Sequence, residues 1–205
     1  MPSNNFTTPL PLNLVMKKNL LSFALMALLG AASVTTASAQ AKMTPGTVQV
    51  GGQAMYPNKN IVENAVNSAD HKTLVAAVKA AGLVETLQGK GPFTVFAPTD
   101  AAFSTLPAGT VDNLVKPENK ATLTKIFTYH VVAGNMTADK IMAAIKAGKG
   151  TATLKTVSGG TLKAMMNGPK NVVLVDEKGG VSTISTYDVI QSNGVIHVID
   201  KVLMP

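Results

Sequence analysis

The three histidines, His71, His130 and His197, and the aspartates Asp100 and Asp188 are the residues of this chain best suited to chemistry. A zinc or iron centre needs three or four convergent ligands. The histidines lie far apart in sequence, cysteine is absent, and no His-x-Glu or paired-His spacing occurs, so no metal site is expected. His130 and His197 each sit among β-branched residues, in Tyr129-His130-Val131-Val132 and Val195-Ile196-His197-Val198. This pattern predicts two strands. Alternation would put Thr128, His130 and Val132 on one face of the first, and Val195, His197 and Ile199 on the equivalent face of the second. Such histidines are expected to be buried and bonded to a backbone carbonyl or a hydroxyl. Asp100 follows Thr94-Val95-Phe96-Ala97-Pro98 and stands where it can cap a short helix carrying Ala102, Phe103 and Leu106. That role suits it better than general acid catalysis.

Other catalytic patterns are missing. There is no Gly-x-Ser-x-Gly elbow, no Walker-type loop or dinucleotide fingerprint, and no carboxylate pair singled out for glycoside hydrolysis. Gly148-Lys149-Gly150-Thr151 lacks the earlier glycine of a phosphate loop and reads as a helix stop. No enzyme is expected and no cofactor is required. The formal net charge is +7, carried entirely by lysine, with no arginine or tryptophan. Nucleic-acid readers favour arginine forks and aromatic stacking platforms, so nucleic acid is not an expected partner. A solvated lysine surface is the simpler reading.

The elements that hold these residues begin after a leader. Met16-Lys17-Lys18, the apolar run from Leu20 to Leu29 and Ala37-Ser38-Ala39 have the form of a secretory signal peptide. The leader is read as 1–39 with its core at 16–39, cleaved near Ala39, and translation starting at either Met1 or Met16. The apolar run is short of the roughly 20 residues that span a bilayer. Loss of Lys17 and Lys18 lowers the net charge from +7 to +5. Residues 40–59, rich in Gly, Pro, Gln and Asn, read as a flexible arm.

From Asn60, a plausible N-cap, helical spacing recurs through Gly82, and further helices are expected at 110–115, 117–127 and 138–147. Phe93 to Pro98 reads as a strand apolar on both faces, hence central. The last third changes character. Strand-length runs at 151–157, 161–166, 171–175 and 181–185 alternate with Ser158-Gly159-Gly160, Asn167-Gly168-Pro169 and Lys178-Gly179-Gly180. Turn signals at that spacing predict antiparallel hairpins. Helices first and strands later give an α+β class and one domain over 60–205.

Three segments carry a family resemblance. Thr94 to Phe103 (TVFAPTDAAF), Tyr129-His130-Val131-Val132, and Ser192 to Pro205 (SNGVIHVIDKVLMP) resemble, in order and spacing, the motifs of the fasciclin-type domain. The resemblance implies a wedge or sandwich of antiparallel strands flanked by helices, with the closing segment pairing near the first. Thr94, Phe96, Pro98, Asp100, Phe103 and His197 are its structural motif residues. It also implies an exported, secreted or periplasmic adhesion or matrix-type module that binds a cell-surface protein or glycan.

Asp188-Val189 stands where receptor-binding relatives carry an Asp-Ile pair, and Tyr129-His130 is used for receptor contact in some relatives. Here Asp188 reads first as a turn residue, Val189 as core, and the Tyr-His pair as core and network. The alternative function implied by the resemblance is carriage of an extended apolar molecule such as a carotenoid. Met136, Met142, Met165 and Met166 would then line an adaptable groove.

Overall fold

The computed structural model describes residues 46–205. The leader at 1–39 lies outside the described residues. Within 46–59 the expected arm is instead structured. Strands β1 (Val48–Val50) and β2 (Gln53–Met55) form an antiparallel hairpin around Gly51 and Gly52, both at positive φ. Two glycines between short strands are a hairpin signal in their own right. The strands are only three residues each, which hides them from any periodicity test. Val50 and Met55 are buried, so the hairpin is part of the core.

Helices α1 (Ile61–Ala65), α2 (Lys72–Ala81) and α3 (Val84–Gln88) follow. Asn60 is the N-cap of α1, in a reciprocal box with Glu63, and Gly82 closes α2 at φ 73°. Next come β3 (Phe93–Pro98), α4 (Asp100–Ser104), α5 (Thr110–Leu114), a single 3-10 turn opened by Pro117, and α6 (Lys120–Tyr129). Then β4 (Val131–Ala133) and α7 (Ala138–Ala147) lead into β5 (Thr151–Lys155), β6 (Thr161–Met166), β7 (Val172–Val175), β8 (Val181–Gln191) and β9 (Gly194–Ile199).

The expected strand over 128–132 is corrected here. Leu123, Ile126 and Phe127 bury one helical stripe, so α6 runs on to Tyr129 against the local β propensity. His130 is the C-cap and not a strand residue, so it shares no strand face with Thr128 or Val132. Thr128 joins the helix too, its hydroxyl donating to the Thr124 carbonyl at 2.7 Å.

Seven strands form one mixed sheet in the order β4-β3-β9-β8-β7-β6-β5, all antiparallel except β3 with β9. Its edges nearly meet. Val132 bridges to Thr156, and the Val157 amide donates to the Val131 carbonyl at 2.8 Å. One apolar core lies between the sheet and α1–α6, including Leu74, Val95, Phe103, Phe127 and Ile196. A second lies inside the curl under α7, including Phe96, Ile141, Leu162, Leu174 and Ile199. β3 and β9 feed both cores from opposite faces, which explains why each carries apolar residues on both faces.

Gly194 opens β9 where a Cβ would stand 2.1 Å from the Phe93 carbonyl oxygen. No side chain fits without moving one strand off the other. Gly194→Ala should therefore cost at least about 2 kcal/mol, at the upper part of the usual overpacking range. Urea unfolding would measure this, and a loss within about 0.5 kcal/mol of zero would show that the pair has slack.

Candidate functional site

The three motif segments meet along β3 and β9. In their parallel register Phe96 lies opposite His197, and the two rings stack with centroids 5.7 Å apart. His197 is fully buried. Its Nε2 is 2.8 Å from the Met136 carbonyl, and its Nδ1 accepts from the Asp188 amide at 3.3 Å. Only the neutral ring with hydrogen on Nε2 satisfies both bonds. Burial lowers its pKa against the opposing pull of the Met136 backbone and the Asp188 charge.

Asp188 occupies a left-handed conformation, φ 53°, in an irregular stretch where β8 slips against β9. That conformation turns its carboxylate toward α7, where Oδ1 accepts from the Ala138 amide at 2.8 Å. Thr137 stands immediately before α7. It holds the cap position, but its side chain makes no cap bond, and Asp188 supplies it from 50 residues away. Thr94 completes the clasp on the same loop. Its hydroxyl donates to the Gly134 carbonyl at 2.7 Å and accepts from the Met136 amide at 2.9 Å.

Asp100 repeats the device. It was expected to cap its own helix, but Thr99 does that, accepting from the Ala102 amide at 3.2 Å. The Asp100 carboxylate turns instead to α2, accepting from Thr73 at 2.8 Å and Lys72 at 3.2 Å. Pro98 ends β3 opposite Ile199, and Phe103 packs on Phe127 with ring centroids 6.5 Å apart.

Tyr129 and His130 serve the second junction. The Tyr129 hydroxyl donates to the Thr161 carbonyl at 2.7 Å and accepts from the Glu177 amide at 3.1 Å. His130 Nδ1 faces the Ile126 carbonyl at 2.8 Å, and Nε2 accepts from the Leu203 amide at 3.0 Å. This again selects one neutral tautomer, with hydrogen on Nδ1. Complete burial pushes its pKa down to about 4. Buried Asp176 holds the same chain end, accepting from the Met204 amide at 2.9 Å.

Of the four residues nominated for partner contact, Tyr129, His130 and Val189 are buried, and Asp188 is half-buried and engaged as a cap. As surface contacts they are corrected to frame residues. The four methionines do not converge on one groove. Met136, Met142 and Met166 pack against the core under α7, while Met165 is exposed on the outer face of β6. Among the described residues, no three His, Cys, Asp or Glu side chains gather as a metal would require.

The sequence reading missed Asn193, whose side chain joins three segments. It donates to the Leu87 and Gly89 carbonyls at 2.8 and 2.9 Å and accepts from the Ile61 amide at 3.0 Å. It also missed Asn64, bonded to Gln191 and to the Tyr56 backbone. The Asn-Gly turn signal was visible, but nothing local shows an amide side chain reaching across 106 residues.

With this arrangement in view, the comparisons are decisive. The Fasciclin domain family model matches residues 69–205. The chain belongs to the fasciclin-domain family. It is 44% identical over 172 residues to Protein sll1483 of Synechocystis, covering 83% of this chain and 87% of that one. It is 35% identical over 177 residues to the cell surface glycolipoprotein MPB83 of Mycobacterium bovis, covering 82% and 68%. Its fold is similar to a FAS1 domain pair from the insect cell adhesion molecule Fasciclin I, with TM-score 0.64 and 17% identity. That match covers 73% of this chain and 52% of the solved pair.

The neutral histidines make fasciclin-fold stability in this chain depend on pH. For His130 the folded pKa of about 4 lies below the ordinary value of 6.5, so the unfolded chain binds the proton first. Its contribution is complete above about pH 6.5 and is lost as pH falls toward 4. A depression of that size is worth roughly 3 kcal/mol. His71 and His197 are shifted in the same direction. Unfolding free energy should fall between pH 7 and 4, and His130→Gln should flatten part of that slope. A wild-type profile level across this range would refute the assignment. Separately, Asp188→Ala should cost about 1 kcal/mol through the lost α7 cap. Asp188→Asn, which tolerates positive φ and retains an acceptor, should cost less.

Proposed function

We propose that this chain is an exported binding module that engages a protein or glycan at the cell surface and performs no turnover chemistry of its own. One observation carries the reading. Thr94, Asp100, Tyr129, His130, Asn193 and His197 of the motif segments are consumed by internal hydrogen bonds, leaving the outward turns and sheet face to meet a partner. The outer face of β5–β7 carries exposed Lys155, Lys163 and Met165, and the hairpin ends carry exposed Lys170 and Lys178. The family membership and the cell-surface description of the MPB83 relative support the same reading. So does the leader pattern ending at Ala39. No helix of the described residues is long and apolar enough to cross a membrane.

Export is checked by N-terminal sequencing of protein from the periplasm or medium of its host, with Gln40 expected as the first residue. Binding is checked by retention of purified 40–205 on envelope fractions, matrix proteins and glycan arrays. The Lys155→Glu/Lys163→Glu pair should weaken retention on acidic glycan and make what remains less dependent on salt concentration. Failure to be retained on any of these surfaces would sink the reading.

A further inference from the structure

The sequence holds two Asn-Gly pairs, Asn167-Gly168 and Asn193-Gly194, and the fold treats them in opposite ways. Asparagine is chemically labile. Its side-chain carbonyl carbon can be attacked by the backbone nitrogen of the next residue, and ammonia is lost. Glycine in that next position favours the attack, because it has no Cβ to shield the nitrogen and its backbone bends freely. Two conditions must hold in a folded protein. The asparagine amide must be free to rotate, and the backbone must have room to close a five-membered ring.

Asn193 meets neither condition. It is buried, and its side-chain amide is held at both ends, by the Leu87 and Gly89 carbonyls and by the Ile61 amide. Its own carbonyl accepts from the Phe93 amide at 3.1 Å, and Gly194 packs directly on the Phe93 backbone. Asn167 meets both. It lies exposed in the turn that joins β6 to β7, as does Gly168. Among the described residues, neither its side-chain amide nor the Gly168 backbone amide makes a hydrogen bond. Gly168 stands at φ 84°, and no atom lies within 4 Å of where a Cβ would be. The one bond that holds Asn167 runs from its own amide to the Asn171 carbonyl at 2.7 Å. That bond lies on the other side of the Asn167 Cα from the reacting groups and leaves the Cα–C bond free to turn.

We propose that Asn167 is a modification site of the folded protein, converted by water to aspartate and isoaspartate, and that Asn193 is protected by the fold. The Gly168 nitrogen gives up its proton to solvent and attacks Cγ of Asn167. A new C–N bond forms, the bond from Cγ to Nδ2 breaks, and ammonia leaves with a proton from water. Water then opens the resulting cyclic imide at one of its two carbonyls. Opening at Cγ gives aspartate; opening at the backbone carbonyl gives isoaspartate, with the chain routed through Cβ. The sum is one water consumed and one ammonia released, with no change of oxidation state. Each event places a carboxylate on the same turn as Lys170 and lowers the formal net charge by one. Lys170 belongs to the surface assigned to the partner, but the reaction does not depend on that assignment.

The test is peptide mapping by mass spectrometry of purified 40–205 held at neutral pH, one portion folded and one in urea, with isoaspartyl methyltransferase to reveal isoaspartate. In the folded portion the Asn167 peptide should gain the mass that separates OH from NH2 and split into two products, at a rate close to that in urea. The Asn193 peptide should convert in urea but only through rare unfolded molecules otherwise, at least about a hundredfold more slowly than Asn167. Gly168→Ala should slow conversion of Asn167 by about tenfold or more. The wild-type comparison of folded and urea-treated protein decides the matter even if that variant fails to fold. Asn167 intact in the folded protein but converted in urea, Asn193 converting as fast as Asn167 in the folded protein, or a folded Gly168→Ala variant with an unchanged rate would each overturn the proposal.

Discussion

The parallel pairing of β3 with β9 is the constraint on which the rest depends. Every other pairing in the large sheet is antiparallel. A parallel pair needs a crossover, and here the crossover is the whole chain from Thr99 to Asn193. Closing so long a loop is entropically costly, and little of the return comes from the backbone ladder alone. It comes from burial on both faces. Val95 and Ile196 enter one core while Phe96 and Ile199 enter the other. Gly91 and Gly194 permit the close approach at one end, where any Cβ would collide with the neighbouring backbone.

Polar side chains then lock what burial has assembled. Asp100 caps α2 and Asp188 caps α7, each from a distant part of the chain, and Thr94 and His197 hold the loop before α7. His130 and Asp176 hold the chain end. Each works by satisfying a backbone amide or carbonyl that burial would otherwise leave unpaired, an omission that costs about 1–3 kcal/mol. The histidines suit this work only as neutral rings, because each must accept at one nitrogen and donate at the other. His130, His197, Asp100 and Asp188, which look chemical in the sequence, are therefore frame.

Much of this was readable in advance, and the reason differs from residue to residue. Asn60 and Gly82 act on their own helices, so local pattern found them. The hairpin turns of β5 to β8 announce themselves by glycine, and the three motif segments by their order. Asp100 and Asp188 were recognised as polar punctuation, but their targets lie 27 and 50 residues away. No local rule reports a cap supplied in trans. His130 was misplaced because Thr-Tyr-His-Val-Val favours a strand by residue type, whereas the stripe of Leu123, Ile126 and Phe127 keeps the helix going until the core is full. The β1–β2 hairpin had its Gly-Gly signal, but strands of three residues carry no period to confirm it. Of the candidate contact residues, Val189 and the Tyr129-His130 pair were read first as core, and all three are buried, while the contact of the Tyr129 ring with Gly160 is a purely tertiary fact.

Native-state amide hydrogen exchange of Val95 to Ala97 and of Ile196 to Val198 tests the central claim most directly. If the β3–β9 pair is the element on which both cores depend, these amides exchange only through global unfolding, with a free energy equal to that from urea denaturation. Exchange of either strand through a partial opening several kcal/mol cheaper, while the β5–β8 hairpins stay protected, would contradict it.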